Sequence, residues 1–338
     1  MSMASKSMLN AQALARSRLS YRCYNHLSKI HVGLGSTPYS TKNSKVTASH
    51  QAHSLLSPCK LLSQQKATAR KFSQRSLGQD NLLDVSVDSS SGVATLKMQK
   101  PPVNSFSLEF LTSLCINLDK LHSDGCRGLV IGSSLPKIFS AGLEITEMYQ
   151  PDEARLREFW RTLQEFWIKL YGSQMITIAA ITGHSPAGGC LVSMCCDHRV
   201  MADGKLTIGL NETLLGIVAP RWFSDTLINT VGHREAERAL QLGKLYSPQE
   251  AVAVGLVDQV VPLESVAATV ESTMAQWLKI PSHARHLSKL QLRQPTLDRL
   301  LHTRQEDIDN FVSFITKESI QKSLGMYLAA LKQRSKAK

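Results

Sequence analysis

Residues 175–197, MITIAAITGHSPAGGCLVSMCCD, restrict the fold more than any other stretch of this chain. Ile176, Ile178, Ala180 and Ile181 make an apolar run of strand length, and a turn is expected at Gly183-His184-Ser185-Pro186. Ala187, Gly188 and Gly189 then open a segment whose Leu191, Val192, Met194 and Cys195 are close enough in helical spacing to face a core. Two glycines at a helix N-terminus leave backbone N–H donors uncovered, and such donors attract an anion or a developing oxyanion. The same glycines also suit tight strand-to-helix packing with no further role. A third reading is a nucleophile elbow, because Gly183-His184-Ser185-Pro186-Ala187 is one residue short of G-x-S-x-G. Pro186 argues against it, since the residue after the serine would have to give an N–H to the oxyanion.

Charge is distributed very unevenly along the 338 residues. Residues 1–79 hold twelve Lys and Arg and no Asp or Glu, so 39 − 12 leaves 27 basic against 27 acidic residues in the remainder. The formal excess of +12 therefore resides in the N-terminal stretch, and a neutral body argues against a nucleic-acid partner. An acid-free, Arg- and Ser-rich leader has the composition of an organelle transit peptide, or of a basic tail that cannot bury a core. Arg70-Lys71-Phe72-Ser73 is similar to the processing site of mitochondrial precursors. The expected organisation is a leader over 1–72, a linker over 73–79, a core over 80–262 and a helical region over 263–338. The expected compartment is the mitochondrial matrix.

No apolar run reaches the length of a membrane span, so none is expected. Cys115, Cys126, Cys190, Cys195 and Cys196 lack paired C-x-x-C spacing and read as reduced core residues. Adjacent cysteines on a helix point about 100° apart, which makes Cys195-Cys196-Asp197-His198 a poor metal site.

Leu83, Val85 and Val87 alternate with polar residues, and a turn at Ser89–Gly92 leads into a second alternating run through Met98, a β-hairpin pattern. After Pro101-Pro102, Ser107 is placed to cap a helix with Leu108, Leu111, Leu114, Cys115, Leu118 and Leu121 on one stripe. Gly128–Gly132 reads as a covered strand, followed by a loop over 133–143. Phe159, Trp160, Leu163, Phe166, Trp167 and Leu170 form an aromatic helix face of core type. Short strands are expected over 198–201, 206–210 and 256–261, with a capping box at Ser247-Pro248-Gln249-Glu250. The rest, over 264–334, is helical in pattern, and no internal sequence repeat is evident.

The motifs Phe139-Ser140-Ala141-Gly142-Leu143-Glu144, Pro186-Ala187-Gly188-Gly189-Cys190 and Gly209-Leu210-Asn211-Glu212-Thr213-Leu214-Leu215-Gly216 together resemble the crotonase (enoyl-CoA hydratase/isomerase) superfamily, from about residue 82 to the C-terminus. The resemblance implies an α/β fold, a spiral of β-β-α turns with a C-terminal helical region that builds a homotrimer. It also implies an acyl-CoA substrate and no metal or redox cofactor, coenzyme A being part of the substrate.

In that superfamily two backbone N–H groups bind the thioester oxygen, and the matching positions are taken here as Ala141 and Gly188. Gly142, Leu143, Glu144 and Ile145 are expected to line the thioester path, with Asn211 beside the base. The hydratases carry one glutamate just after the glycine pair and another on a later strand. This chain has Leu191 at the first place and Glu212 at the second. A single carboxylate can take a proton from C2 and return it at C4, but has no partner with which to hold water. The implied activity is isomerisation of cis- or trans-3-enoyl-CoA to trans-2-enoyl-CoA, with Glu212 as general acid and base. A hydratase, a thioester hydrolase and a non-catalytic RNA-binding or assembly member are the alternatives on the same fold. The isomerases usually carry aspartate in place of Glu144, and His184 reads as a structural histidine.

Overall fold

In the computed structural model, residues 82–336 are described, and the expected leader and linker over 1–79 lie outside them. The hairpin forms as its alternation predicts: β1 (Leu83–Asp88) pairs antiparallel with β2 (Val93–Met98). The other strands of this sheet pair in parallel, through β3 (Gly128–Ser133), β5 (Ile176–Ile181), β7 (His198–Ala202) and β9 (Gln259–Val261). The six-stranded sheet thus has the order β1-β2-β3-β5-β7-β9.

In a second sheet, two of the three strands occupy positions that the sequence suggests are a loop and a turn. It is built from β4 (Lys137–Ile138), β6 (Gly183–Pro186) and β8 (Ile208–Gly209), all parallel, in that order. The turn expected at 183–186 is therefore a strand, and Gly183 shows why: a Cβ there would lie 2.1 Å from the Ile138 amide nitrogen. The strands expected over 206–210 and 256–261 shrink to Ile208–Gly209 and Gln259–Val261.

Helices follow the small sheet in a regular way. After α1 (Leu108–Ser123), which Ser107 caps, β3 and β4 lead to α2 (Glu153–Tyr171), and β5 and β6 lead to α3 (Gly188–Cys195). β7 and β8 lead to α4 (Arg221–Val231), so each turn adds one strand to each sheet and then a helix. α5 (His233–Leu242) and α6 (Pro248–Ala253) complete this part, the latter with the predicted capping box.

The aromatic face of α2 is core, as its spacing predicts: Phe159, Trp160, Leu163, Phe166, Trp167 and Leu170 are all buried. Burying each such side chain contributes roughly 1.5–3 kcal/mol, which makes this helix a main anchor of the interior. Its polar edges are satisfied too. Trp160 Nε1 donates to Asp307 at 2.7 Å, and Trp167 Nε1 donates to Thr226 Oγ1 at 3.2 Å.

The C-terminal region begins where β9 ends. α7 (Val266–Trp277) lays Val266, Val270 and Met274 on Ile176, Ile178, Val200 and Ala202 of the large sheet. α8 (Ser282–Ile315) is tied to the end of α3 by Lys289 and Arg293, which lie 2.9 and 3.2 Å from the buried Asp197 carboxylate. α9 (Glu318–Lys336) follows. Cys195 and Cys196 are buried free thiols, so the Cys-Cys-Asp run serves packing and this ion pair. Among the described residues no helix is long and apolar enough to cross a membrane.

Candidate active site

The small parallel sheet brings the three sequence motifs together. Register pairs Ile138 with His184 and Pro186 with Gly209, so the segments after β4, β6 and β8 leave from one edge. Those segments are Ser140–Glu144, Ala187–Gly189 and Leu210–Glu212. Two of them touch through backbone: a Cβ on Gly142 would sit 2.8 Å from the Gly188 nitrogen, and one on Gly189 would sit 2.5 Å from the Ser140 carbonyl oxygen. Glycine is required at both places because any side chain would separate the loops.

Hydrogen bonding decides which amides remain available. Ala141, expected to supply one oxyanion donor, instead donates its N–H to the Val103 carbonyl at 2.9 Å. Gly142 N–H donates to Ser140 Oγ at 3.1 Å. Phe106 N–H donates to Gly142 O and Glu144 N–H to Phe106 O, which makes Leu143 the centre of a parallel bridge with Phe106. In such a bridge the central residue turns its own N–H away from the partner. No acceptor among the described residues takes the Leu143 N–H, and none takes that of Gly188 at the start of α3. The donor assignment on this loop therefore moves from Ala141 to Leu143. The sequence motif alone does not show the strap at Val103–Phe106 that engages the amides of Ala141 and Glu144.

The turn before Gly188 is strained. Ala187 has φ +49°, ψ −123°, a conformation that costs a non-glycine residue about 1–3 kcal/mol and persists only where the surroundings enforce it. Ala187 N–H is held by Gly209 O at 2.8 Å, so the strain is fixed by β8 and aims the start of α3.

Glu212 opens a short 3-10 helix, Glu212–Leu215, with Asn211 as its N-cap. Its side chain is buried, and Oε2 has no hydrogen-bond partner. Burial raises its pKa from 4.5 to about 7. A cavity of about 220 Å³ adjoins it, lined by Leu210, Val218, Ala219 and Leu240 with Thr213, Ser224 and Gln241. A second cavity, of about 240 Å³, is lined by Arg221, Trp222, Asp225, Arg299 and Asp307 between α4 and α8, and none of the three loops lines it.

The other candidates fall into clear places. Glu144 Oε2 is tied to Ser105 Oγ and, at 3.1 Å, to Lys100 Nζ. Burial works to raise its pKa, but the hydrogen bonds from Ser105 and Lys100 outweigh burial and the carboxyl titrates below its ordinary value. Glu144 therefore braces the loop and is not a free base. Gly142 is buried, and Leu143 and Ile145 are half-buried beside it. Leu191, one turn into α3, is buried in the core and brings no second carboxylate. His184 Nδ1 pairs with Thr207 Oγ1 at 3.0 Å, the structural role expected of it. Ser185 is fully buried with no hydrogen-bond partner for its hydroxyl, which does not fit an activated nucleophile.

Comparison with known proteins gives this arrangement its class. The sequence profile of the enoyl-CoA hydratase/isomerase family matches residues 88–337, and the chain belongs to that family. Within it, the chain is 56% identical over 252 residues to mitochondrial enoyl-CoA delta isomerase 1 of Mus musculus, covering 74% of this chain and 87% of the mouse protein. The Homo sapiens protein of the same name is 53% identical over 268 residues, covering 78% of this chain and 86% of its own length. The crystal structure of human mitochondrial delta3-delta2-enoyl-CoA isomerase superposes with a TM-score of 0.74 at 53% identity, over 75% of this chain and 99% of that one.

Proposed function

We propose that this chain is a Δ3,Δ2-enoyl-CoA isomerase, which moves the double bond of cis- or trans-3-enoyl-CoA into conjugation with the thioester. The observation that carries the reading is the pairing of two unengaged amides with one buried carboxylate at a single sheet edge. Abstraction of a C2 proton puts charge on the thioester oxygen, and preorganised N–H donors at that oxygen typically contribute ~3–4 kcal/mol each. Leu143 and Gly188 are the donors in this mechanism. Glu212 takes the C2 proton to give the dienolate, and the protonated Glu212 then delivers it to C4 as the electrons shift to form the C2–C3 double bond. A carboxyl that titrates near 7 suits both steps, since it is basic enough to remove the proton and acidic enough to return it.

Supporting the isomerase over a hydratase is Leu191, whose apolar side chain stands where a second carboxylate would help to hold water. The names of the mouse and human relatives point the same way, and they also support mitochondrial residence. The acid-free composition of residues 1–79 agrees with delivery to the matrix. The substrate's coenzyme A supplies the only non-protein group the mechanism uses, and the functional assembly in this reading is a homotrimer. Residues 73–338 incubated with 3-hexenoyl-CoA should develop the ultraviolet absorbance of a conjugated 2-enoyl thioester. A protein that binds the thioester without producing that absorbance would refute the proposal.

A further inference from the structure

The Leu143 amide is held from both sides by one short segment. Before it, Ala141 N–H is bound to Val103 O, and Ser140 Oγ donates to Asn104 O at 2.8 Å. After it, Glu144 N–H is bound to Phe106 O, and the Glu144 carboxylate is bound to Ser105 and Lys100. Lys100 closes the ring, because its ammonium donates to the Ser105 carbonyl at 2.8 Å as well as to Glu144 at 3.1 Å. Both side chains are largely sheltered, Lys100 at 19% and Glu144 at 29% exposure, so their charges are less screened than those of a surface pair.

This arrangement places a carboxylate one residue along the chain from an amide that must accept developing negative charge. Uncompensated, that carboxylate would oppose the enolate. We propose that Lys100 and Glu144 act as a neutralised clamp, with Glu144 fixing the direction of the Leu143 N–H and Lys100 cancelling the charge that Glu144 brings. Both are positioning residues: neither touches the reacting atoms in this reading. The proposal rests on the isomerase mechanism for the identity of the anion, and it goes beyond that mechanism in predicting that the lysine matters only while the carboxylate is present.

That dependence separates the clamp from a general effect on packing. Lys100→Met should lower kcat for 3-hexenoyl-CoA by about tenfold or more, as an unpaired charge near the site at intermediate dielectric would, with KM changed little. Glu144→Gln keeps a hydrogen-bonding side chain without the charge and should lose less. Lys100→Met combined with Glu144→Gln should recover most of the loss seen in Lys100→Met alone, and Lys100→Arg should stay close to the wild type. Acetoacetyl-CoA supplies a second readout that needs no turnover, because its enolate has its own ultraviolet absorbance. Lys100→Met should bind that enolate about tenfold more weakly, and the double variant should bind it better. If Lys100→Met does not fold, as judged by its melting profile, Lys100→Gln carries the same comparison. Wild-type kcat and enolate binding in Lys100→Met, or a double variant as poor as Lys100→Met, overturns the clamp. A wild-type protein that neither isomerises 3-hexenoyl-CoA nor binds the acetoacetyl enolate overturns the isomerase reading itself.

Discussion

The proposed mechanism concentrates the chemistry in Glu212, whose burial has two measurable consequences. The first is kinetic. The base must be ionised in the free enzyme, so kcat/KM should fall as pH drops through about 7, the value to which burial raises this carboxyl. Glu212→Gln, nearly isosteric and unable to accept a proton, should lower kcat and kcat/KM together by ~10,000-fold or more, at the upper end for an acid–base group. Glu144→Gln, measured beside it, should retain most of the activity. The reverse pattern would mean that the base is misassigned.

The second consequence concerns stability. A carboxyl whose pKa is raised on folding binds its proton more tightly in the folded state. Below pH 4.5 both states are protonated and nothing is lost; between 4.5 and 7 the unfolded chain releases a proton that the folded one keeps, so stability falls. Above 7 the penalty is complete, about 3 kcal/mol. Glu212→Gln should therefore be more stable than wild type at pH 8, by up to about that amount, and closer to it at pH 4. Denaturant melts at the two pH values check this, and an inactive variant that is also less stable at pH 8 would contradict the burial argument. At this scale the sequence was legible where the proposed chemistry rests on a side chain or on its absence, as in the placement of Glu212, Leu191 and the glycines of the loops. It was not legible where the functional atom is a backbone amide. Val103 accepts the Ala141 amide while the bridge to Phe106 turns the Leu143 amide away, and no residue type records that difference.

Elements were legible in proportion to their length. The hairpin over 83–98, the capped helix after Ser107 and the aromatic face of α2 carry enough periodic residues to be read directly. The small sheet does not, because β4 and β8 have two residues each and β6 has four, too few for alternation to show. Its pairing shows instead in close backbone approach. The same brevity hides the repetition of the β-β-α turn, which is plain in three dimensions although no sequence repeat marks it. Gly183→Ala tests the element that joins the three motif loops. A methyl group there would meet the Ile138 backbone, which cannot move without breaking the β4–β6 pairing. The variant should lose about 3 kcal/mol or more of stability, together with its activity. A melting temperature equal to that of wild type would show that the small sheet is not held as described.

For the whole molecule, charge divides the chain into two parts. The body is formally neutral, while residues 1–79 carry all of the excess positive charge. A reporter fused behind residues 1–79 should enter the mitochondrial matrix and be shortened on arrival, which fractionation and protease protection would show; a full-length cytosolic reporter would contradict the targeting function. The fold joins widely separated motifs to the same end: residues near 140, 188 and 212 meet because successive turns of the spiral add neighbouring strands to the small sheet.

In the proposed mechanism one sheltered carboxylate carries a proton from C2 to C4, a step that isotope transfer can follow. With 3-hexenoyl-CoA deuterated at both C2 positions, Glu212 would take one deuteron and return it before exchange with solvent, because its side chain is buried and Oε2 is shut off from water. Mass spectrometry and NMR of the 2-hexenoyl product formed in ordinary water should find a substantial fraction of that deuterium at C4. Product carrying only solvent hydrogen at C4 from the earliest time points would contradict transfer by a single base.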